Sequence, residues 1–247
     1  MNRIKREWED YQVLLRNVPG LILALFMASV VVMNLLANKE LVSFEYLALD
    51  CGFTVSWMSF LCMDVLCKHF GAKAAAKLSI LALFFNLVVC GLFHLVAMIP
   101  CHWGEFYATN APAADAALDA TLGGSWYIVF GSSLAMFASS VTNSLINAQI
   151  GKRLKHDNFK AFAIRSYVST AIGQFVDNLV FAIVVSHVLF GWTWVQILAC
   201  SAVAAMLELV CEIAFSPLGY RVTQSWKRHQ VGAEYFAYRR GAVDSGQ

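Results

Sequence analysis

Ser169-Thr170-Ala171-Ile172-Gly173-Gln174-Phe175-Val176-Asp177-Asn178 sets a string of polar groups inside an apolar stretch that runs from about Phe162 to Phe190. Such a stretch is long enough to cross a bilayer, whose hydrocarbon core of about 30 Å takes about 20 helical residues. A carboxylate at that depth costs roughly 2.5 to 3.5 kcal/mol on insertion scales, so Asp177 is expected to face protein or a watery cavity. The run reads as part of a solvated site built inside a membrane protein.

The chain around it has the same character. Of its 247 residues 59% are apolar and only 14% charged, and the mean hydropathy is +0.61, too oily for an ordinary soluble domain. Further apolar stretches run from about Val18 to Ala37, Gly52 to Cys67, Leu78 to Pro100, Ser125 to Ile150 and Trp192 to Pro217, the last following the 162–190 stretch after a tight turn at Gly191. The expectation is an all-α polytopic membrane protein with six transmembrane helices: a cytoplasmic amphipathic segment over 1–17, a transporter domain over 18–220 and a cytoplasmic tail over 221–247. No small-residue cleavage site closes the first span, so it is not read as a signal peptide. The stretch from His229 to Gln247 reads as a polar tail, partly disordered.

Lysine and arginine placement tests the span count, because cytoplasmic loops are enriched in these residues. Arg3, Lys5, Arg6 and Arg16 precede the first span; Lys68, Lys73 and Lys77 lie between the second and third; Lys152, Arg153, Lys155, Lys160 and Arg165 lie between the fourth and fifth; Arg221, Lys227, Arg228, Arg239 and Arg240 follow the sixth. On the other side Lys39 stands against Glu40, Glu45, Asp50, Glu105, Asp115 and Asp119. Both termini are therefore expected in the cytoplasm. The net charge of +2 follows from this sidedness, which argues for contact with anionic lipid rather than nucleic acid. Seven cysteines occur without a CxxC pair. Cys51 and Cys101 fall near the outer face, where a disulfide is conceivable. The segment from Cys101 to Gly124 reads as a soluble connection anchored by Trp103, Tyr107 and Trp126.

Within the spans, polar residues three or four apart share a helix face. Asn34 pairs with Asn38, Asn143 with Asn147, Gln174 with Asp177 and Glu208 with Glu212, so four spans offer amides or carboxylates to a common interior. Asparagine pairs also knit membrane helices together, at about 0.6 kcal/mol on average. Asp64, one turn from Lys68, reads as the partner of a snorkelling lysine. The two glutamates fit a purely structural account less well, since like charges one turn apart repel and one of them needs a proton or a cation beside it. Catalytic signatures are weak: Gly131-Ser132-Ser133 lacks the Gly-x-Ser-x-Gly context. His94, His102 and His187 lack metal-ligand spacing, and no Walker-type phosphate loop occurs. No catalytic residue, metal or cofactor is assigned.

At this level the chain resembles the queuosine-precursor transporter family, also described as the vitamin uptake transporter family. The likeness rests on Asn38-Lys39, on Ser59 to Asp64 followed by Lys68-His69-Phe70-Gly71, and on Ser140 to Asn147 leading into Lys152-Arg153-Leu154-Lys155. Its most specific piece is Arg165 followed by Ser169-Thr170, Gly173-Gln174 and Asp177, and Glu212 with Pro217, Tyr220 and Arg221 completes it. The resemblance implies a homodimeric six-helix importer in the prokaryotic inner membrane, carrying 7-deazaguanine bases for tRNA queuosine: 7-cyano-7-deazaguanine, 7-aminomethyl-7-deazaguanine or queuine. Glu208 stands where many members carry lysine, and Asn147 where aspartate is common, a charge balance that would suit an amine-bearing base.

The residue types fit such a ligand on their own chemistry. A deazaguanine edge offers neighbouring N–H donors beside a carbonyl, so a carboxylate accepts two bonds while an amide donates one. Gln174, Asp177 and Glu212 are expected to contact the substrate, Asn38, Asn143 and Asn147 to line the cavity, and Glu208 to tune its charge. Trp57, Phe60, Phe175 and Phe181 are candidates to stack on the ring. Two other readings use the same residues: the substrate-binding component of an energy-coupling-factor vitamin importer, and a non-transporting membrane assembly protein.

Overall fold

In hydrocarbon a backbone can satisfy its own N–H and C=O groups only by closing into helices or a barrel, and the apolar stretches of this chain close into helices. The computed structural model describes the backbone of residues 3–153 and 159–244; within these, the side chains at 3, 4, 143, 144, 147, 148, 150–153, 159–167, 169, 212 and 242–244 are left aside. The long helices are α2 (Gly20–Leu36), α3 (Phe53–Phe70), α4 (Ala72–Ala97), α7 (Trp126–Arg153), α8 (Phe159–Phe181) and α10 (Trp194–Arg228), and they fall on the apolar stretches. Shorter helices are α1 (Arg3–Asn17), α5 (Gly104–Thr109), α6 (Pro112–Gly124), α9 (His187–Phe190) and α11 (Ala233–Asp244). Strands β1 (Glu40–Ser43) and β2 (Ala48–Asp50) form an antiparallel hairpin, and a π-helical turn, Ala182–Ser186, joins α8 to α9.

Ala72–Ala97, Thr170–Phe190 and Trp194–Cys211 are long and apolar enough to cross a membrane. The pair Lys5–Asn17 and Gly20–Leu36, bent by 105°, makes a fourth crossing if it is counted as one span. Proline 19 stands at the bend as the residue before α2. The apolar faces bear this out: Phe84, Phe85 and Leu92 on α4, Phe130 and Phe137 on α7, and Met206 and Val210 on α10 are exposed, an arrangement that suits lipid and not water. The chain is thus a multi-pass membrane protein. α2, α3 and α4 pack on one another, α7 packs along α8, and α10 lies against both α3 and α8.

Two segments outside the long helices carry more regular structure than their composition alone conveys. The connection from Cys101 to Gly124 holds two helices, α5 and α6, pinned by Asp115 and Asp119: Trp103 donates its backbone N–H to Asp115 Oδ1 at 2.7 Å and its indole to Asp119 at 2.7 Å, and His102 pairs with Asp115 at 2.8 Å. Pro112 at the helix start and Asp115 in its first turn favour that helix. The tail is also ordered over its described part. α10 runs without a break past residue 220 to Arg228, and α11 folds back against α1. Tyr235 is buried there beside Phe70, and Asn17 donates to Glu234 at 3.2 Å. Cys51 and Cys101 are free thiols.

Candidate functional site

α8 and α10 descend side by side from the tight turn at Gly191, whose φ of +69° puts it in the left-handed region that glycine tolerates. The start of α10 is fixed by a capping box, Thr193 with Gln196. Asp177 lies fourteen residues before Gly191 and Glu208 fourteen after Trp194, so each sits about 20 Å of helix below the turn, a depth that falls within a hydrocarbon core of about 30 Å.

At that level the two helices are joined through a side chain that the spacing argument passed over. Asn178 donates from Nδ2 to Glu208 Oε2 at 3.0 Å and to the Gln174 carbonyl at 2.9 Å. Glu208 is only 7% exposed, so this bond forms away from water, where it is strongest. Glu208 also lies within electrostatic range of Asp177 and of Asp50. Gln174 shares the α8 face of Asp177 and Asn178, and its Oε1 is buried without a hydrogen-bond partner among the described residues. The structure therefore joins Asn178 to Glu208 and to the Gln174 carbonyl, with Asp177 and Asp50 within electrostatic range of Glu208.

Asp50 reaches this layer from the base of the hairpin. Its Oδ1 accepts from the Gly52 N–H at 2.8 Å, at the start of α3, where a carboxylate meets the positive end of the helix dipole. On α10 the buried positions Ile197, Cys200, Ser201, Ala204, Ala205 and Glu208 follow the helical repeat, and the small ones among them, Cys200, Ser201, Ala204 and Ala205, let neighbouring elements approach closely. Cys200 lies within electrostatic range of both Asp50 and Glu208.

The other expected site residues fare differently. Asn38 is committed elsewhere: its Nδ2 donates to Ser125 Oγ at 2.9 Å and to the Leu35 carbonyl at 3.1 Å, tying the end of α2 to the junction of α6 and α7. The side chains of Asn143, Asn147 and Glu212 lie outside the described residues. Asp64 pairs with Lys68 at 2.5 Å, the snorkelling arrangement expected of it. Trp57 stacks on Phe215 of α10 with ring centroids 4.6 Å apart, and Phe181 packs against the buried cluster of Ala37, Ile128 and Val185.

One structural device above the site was invisible to helical spacing. At the π-helical turn the Tyr127 hydroxyl donates to the Val184 carbonyl at 2.8 Å. Gly131 of α7 packs so closely there that a Cβ would stand 2.2 Å from Val185 Cγ2. A shallow groove between α4 and α6, beside His94 and Trp126, is a weaker candidate, since His94 already bonds the Gly123 carbonyl and Asp119 the Trp103 indole. Among the described residues no three His, Cys, Asp or Glu side chains are grouped to hold a metal ion.

A family model described as "putative vitamin uptake transporter" matches residues 50–222, which include Asp50, Asp177, Asn178 and Glu208, and the chain belongs to that family. No curated protein and no solved structure matches it.

Proposed function

We propose that this member of the putative vitamin uptake transporter family imports 7-deazaguanine precursors of tRNA queuosine across the prokaryotic inner membrane. It does so as a homodimer of six-span subunits with both termini in the cytoplasm. The observation that carries the reading is the mid-depth layer in which Asn178 bonds Glu208 while Asp177, Gln174 and Asp50 gather beside it. Acidic and amide groups of this kind complement the N–H donors of a flat nitrogenous base. A base lacking those donors leaves buried acceptors unpaired, at about 1 to 3 kcal/mol each, which is the source of selectivity.

The topology has its own support. α1 and α11 clasp each other at the same end of the bundle, where Arg239 of α11 pairs with Asp10 of α1 at 3.6 Å and Lys77 of α4 pairs with Glu7 at 2.7 Å and Asp10 at 2.5 Å. This contact supports reading both termini on the side rich in basic residues, with an even number of crossings.

Uptake of a labelled deazaguanine into proteoliposomes tests the function. Asp177→Asn, Glu208→Gln and Glu212→Gln are each expected to lower uptake about tenfold or more, equivalent to about 1.4 kcal/mol, at unchanged membrane abundance. Normal uptake in all three sinks the assignment. Thermal stabilisation by flavin or biotin, with none by cyano-deazaguanine, aminomethyl-deazaguanine or queuine, moves the substrate to another class.

A further inference from the structure

α3 and α10 run parallel, and their contacts fix how deep α3 begins. Trp57 stacks on Phe215, and Gly219 lies beneath Leu61 and Val65, a constant offset that puts the first residue of α3, Phe53, level with about Cys211. The first seventeen residues of α10, about 25 Å of helix, therefore have no α3 beside them. α2 ends at the level of the α3 start, because a Cβ on Gly52 would stand 2.6 Å from the Met33 carbonyl in the last turn of α2. The β1–β2 hairpin fills the space that the two short helices leave.

The hairpin is a closed unit fastened to one wall. Its base is shut by the Cys51 N–H bonding the Lys39 carbonyl at 2.7 Å, and its tip by the Phe44 N–H bonding the Leu47 carbonyl at 2.7 Å. Towards α10, the Trp192 indole donates to Glu40 Oε1 at 2.7 Å and Gln196 Nε2 donates to the Phe44 carbonyl at 2.9 Å. Ala48, fully buried, plugs a recess formed with Ala182, Trp192, Ile197 and Cys200. Phe44 and Tyr46 at the tip are exposed. Non-helical backbone at such depth is tolerated only where it is buried in protein or lines a cavity, and beneath this hairpin lies the layer of Asp50, Asn178 and Glu208.

We propose that the hairpin from Glu40 to Asp50 is the outer gate of the transporter, swinging off α10 about 37–39 and 51–52 to admit substrate and reclosing through the Trp192–Glu40 and Gln196–Phe44 bonds. The inference rests on the transport reading and its topology. Closure excludes water from the layer of carboxylates and amides; opening exposes Cys200.

Native Cys200, 7% exposed, reports the gate without any substrate. In sealed, right-side-out vesicles of the full chain, a membrane-impermeant thiol reagent followed by peptide mass spectrometry measures its labelling rate. Trp192→Phe, which removes the indole donor and keeps the ring, is expected to raise that rate about tenfold while Cys101, already exposed, labels as before. An unchanged Cys200 rate overturns the gate. In a second arm, Phe44→Cys with Gln196→Cys is bridged by a short cleavable bis-thiol reagent. Bridging is expected to abolish uptake and cleavage to restore it, with each single variant unaffected by the same treatment. Full uptake by the bridged protein also overturns the gate. If Cys200 labelling responds and no deazapurine is taken up by any form, the gate stands and the substrate assignment fails.

Discussion

The two ends of the bundle are closed by opposite means. Where the termini meet, five helices interlock. His69 and Phe70 of α3, Trp226 of α10, and Tyr235 and Phe236 of α11 pack ring on ring with centroids 4.8 to 6.0 Å apart, while Lys77 of α4 pairs with α1. His69 bonds the Val231 carbonyl at 2.9 Å, and Gly232, at φ +80°, brings the chain so close that a Cβ would stand 2.6 Å from the Phe70 ring. Each aromatic pair adds about 0.5 to 1.5 kcal/mol beyond its buried area. The hairpin end instead has one element held to one wall by two side-chain bonds and the packing of Ala48. Redundant contacts make the first closure permanent, and a short set of them makes the second releasable.

The strongest way to break this contrast is at Phe70, which is 6% exposed. Phe70→Ala is expected to cost about 3 to 5 kcal/mol, read as a lowered Tm in detergent, with Cys200 labelling from outside unchanged. A wild-type Tm would remove the clamp from the account. Gly52→Ala comes next. Its Cβ meets carbonyl backbone that cannot rotate away, so about 1 to 3 kcal/mol of overpacking strain is expected, concentrated at the hairpin root and visible as faster Cys200 labelling. If Tm falls while labelling stays at the wild-type rate, hairpin and clamp are one cooperative unit and the contrast is lost.

The smallest effect lies at Asp115, which fastens α6 to the segment ahead of α5. The His102 hydrogen bond, followed by the Trp103 N–H, holds its carboxyl below the ordinary value of 3.8. A depressed carboxyl contributes stability that is fully present above that ordinary value and is lost as pH falls through the lowered one. Between pH 6 and 3 the melting temperature should therefore decline less steeply in Asp115→Asn than in the wild type. Parallel curves would count against the link.

Helix positions were legible because a span needs a long apolar run, and that signal is local. The hairpin was not, although Leu41-Val42 and Phe44 to Leu49 carry strand-forming residues, because its docking partners, Trp192 and Gln196, lie about 150 residues away and show no charge or spacing pattern. Asn178 stood in the string that fixed the fold and drew no role, since an amide beside Asp177 gains meaning only when α10 delivers Glu208 to it. Asp50 was counted as an outer-loop charge; the shortness of α2 and α3 is what carries it inward. Tyr235 and Phe236 were the available sign that the tail folds, diluted by Arg239 and Arg240. Asn38 followed the one-turn rule and still turned away, because Ser125 offered its amide a nearer acceptor.

The π-helical turn at 182–186 sets the phase of the helix that holds the site. An inserted residue advances a helix by about 100°, so α8 below the turn and the residues from the turn upward point their inner faces in different directions. Below the turn Asn178 meets Glu208; within it Ala182 packs at the hairpin recess and Val185 against Gly131 of α7. One continuous rod thereby serves two neighbours, and the Tyr127 hydroxyl on the Val184 carbonyl is the pin that keeps the two directions from drifting together.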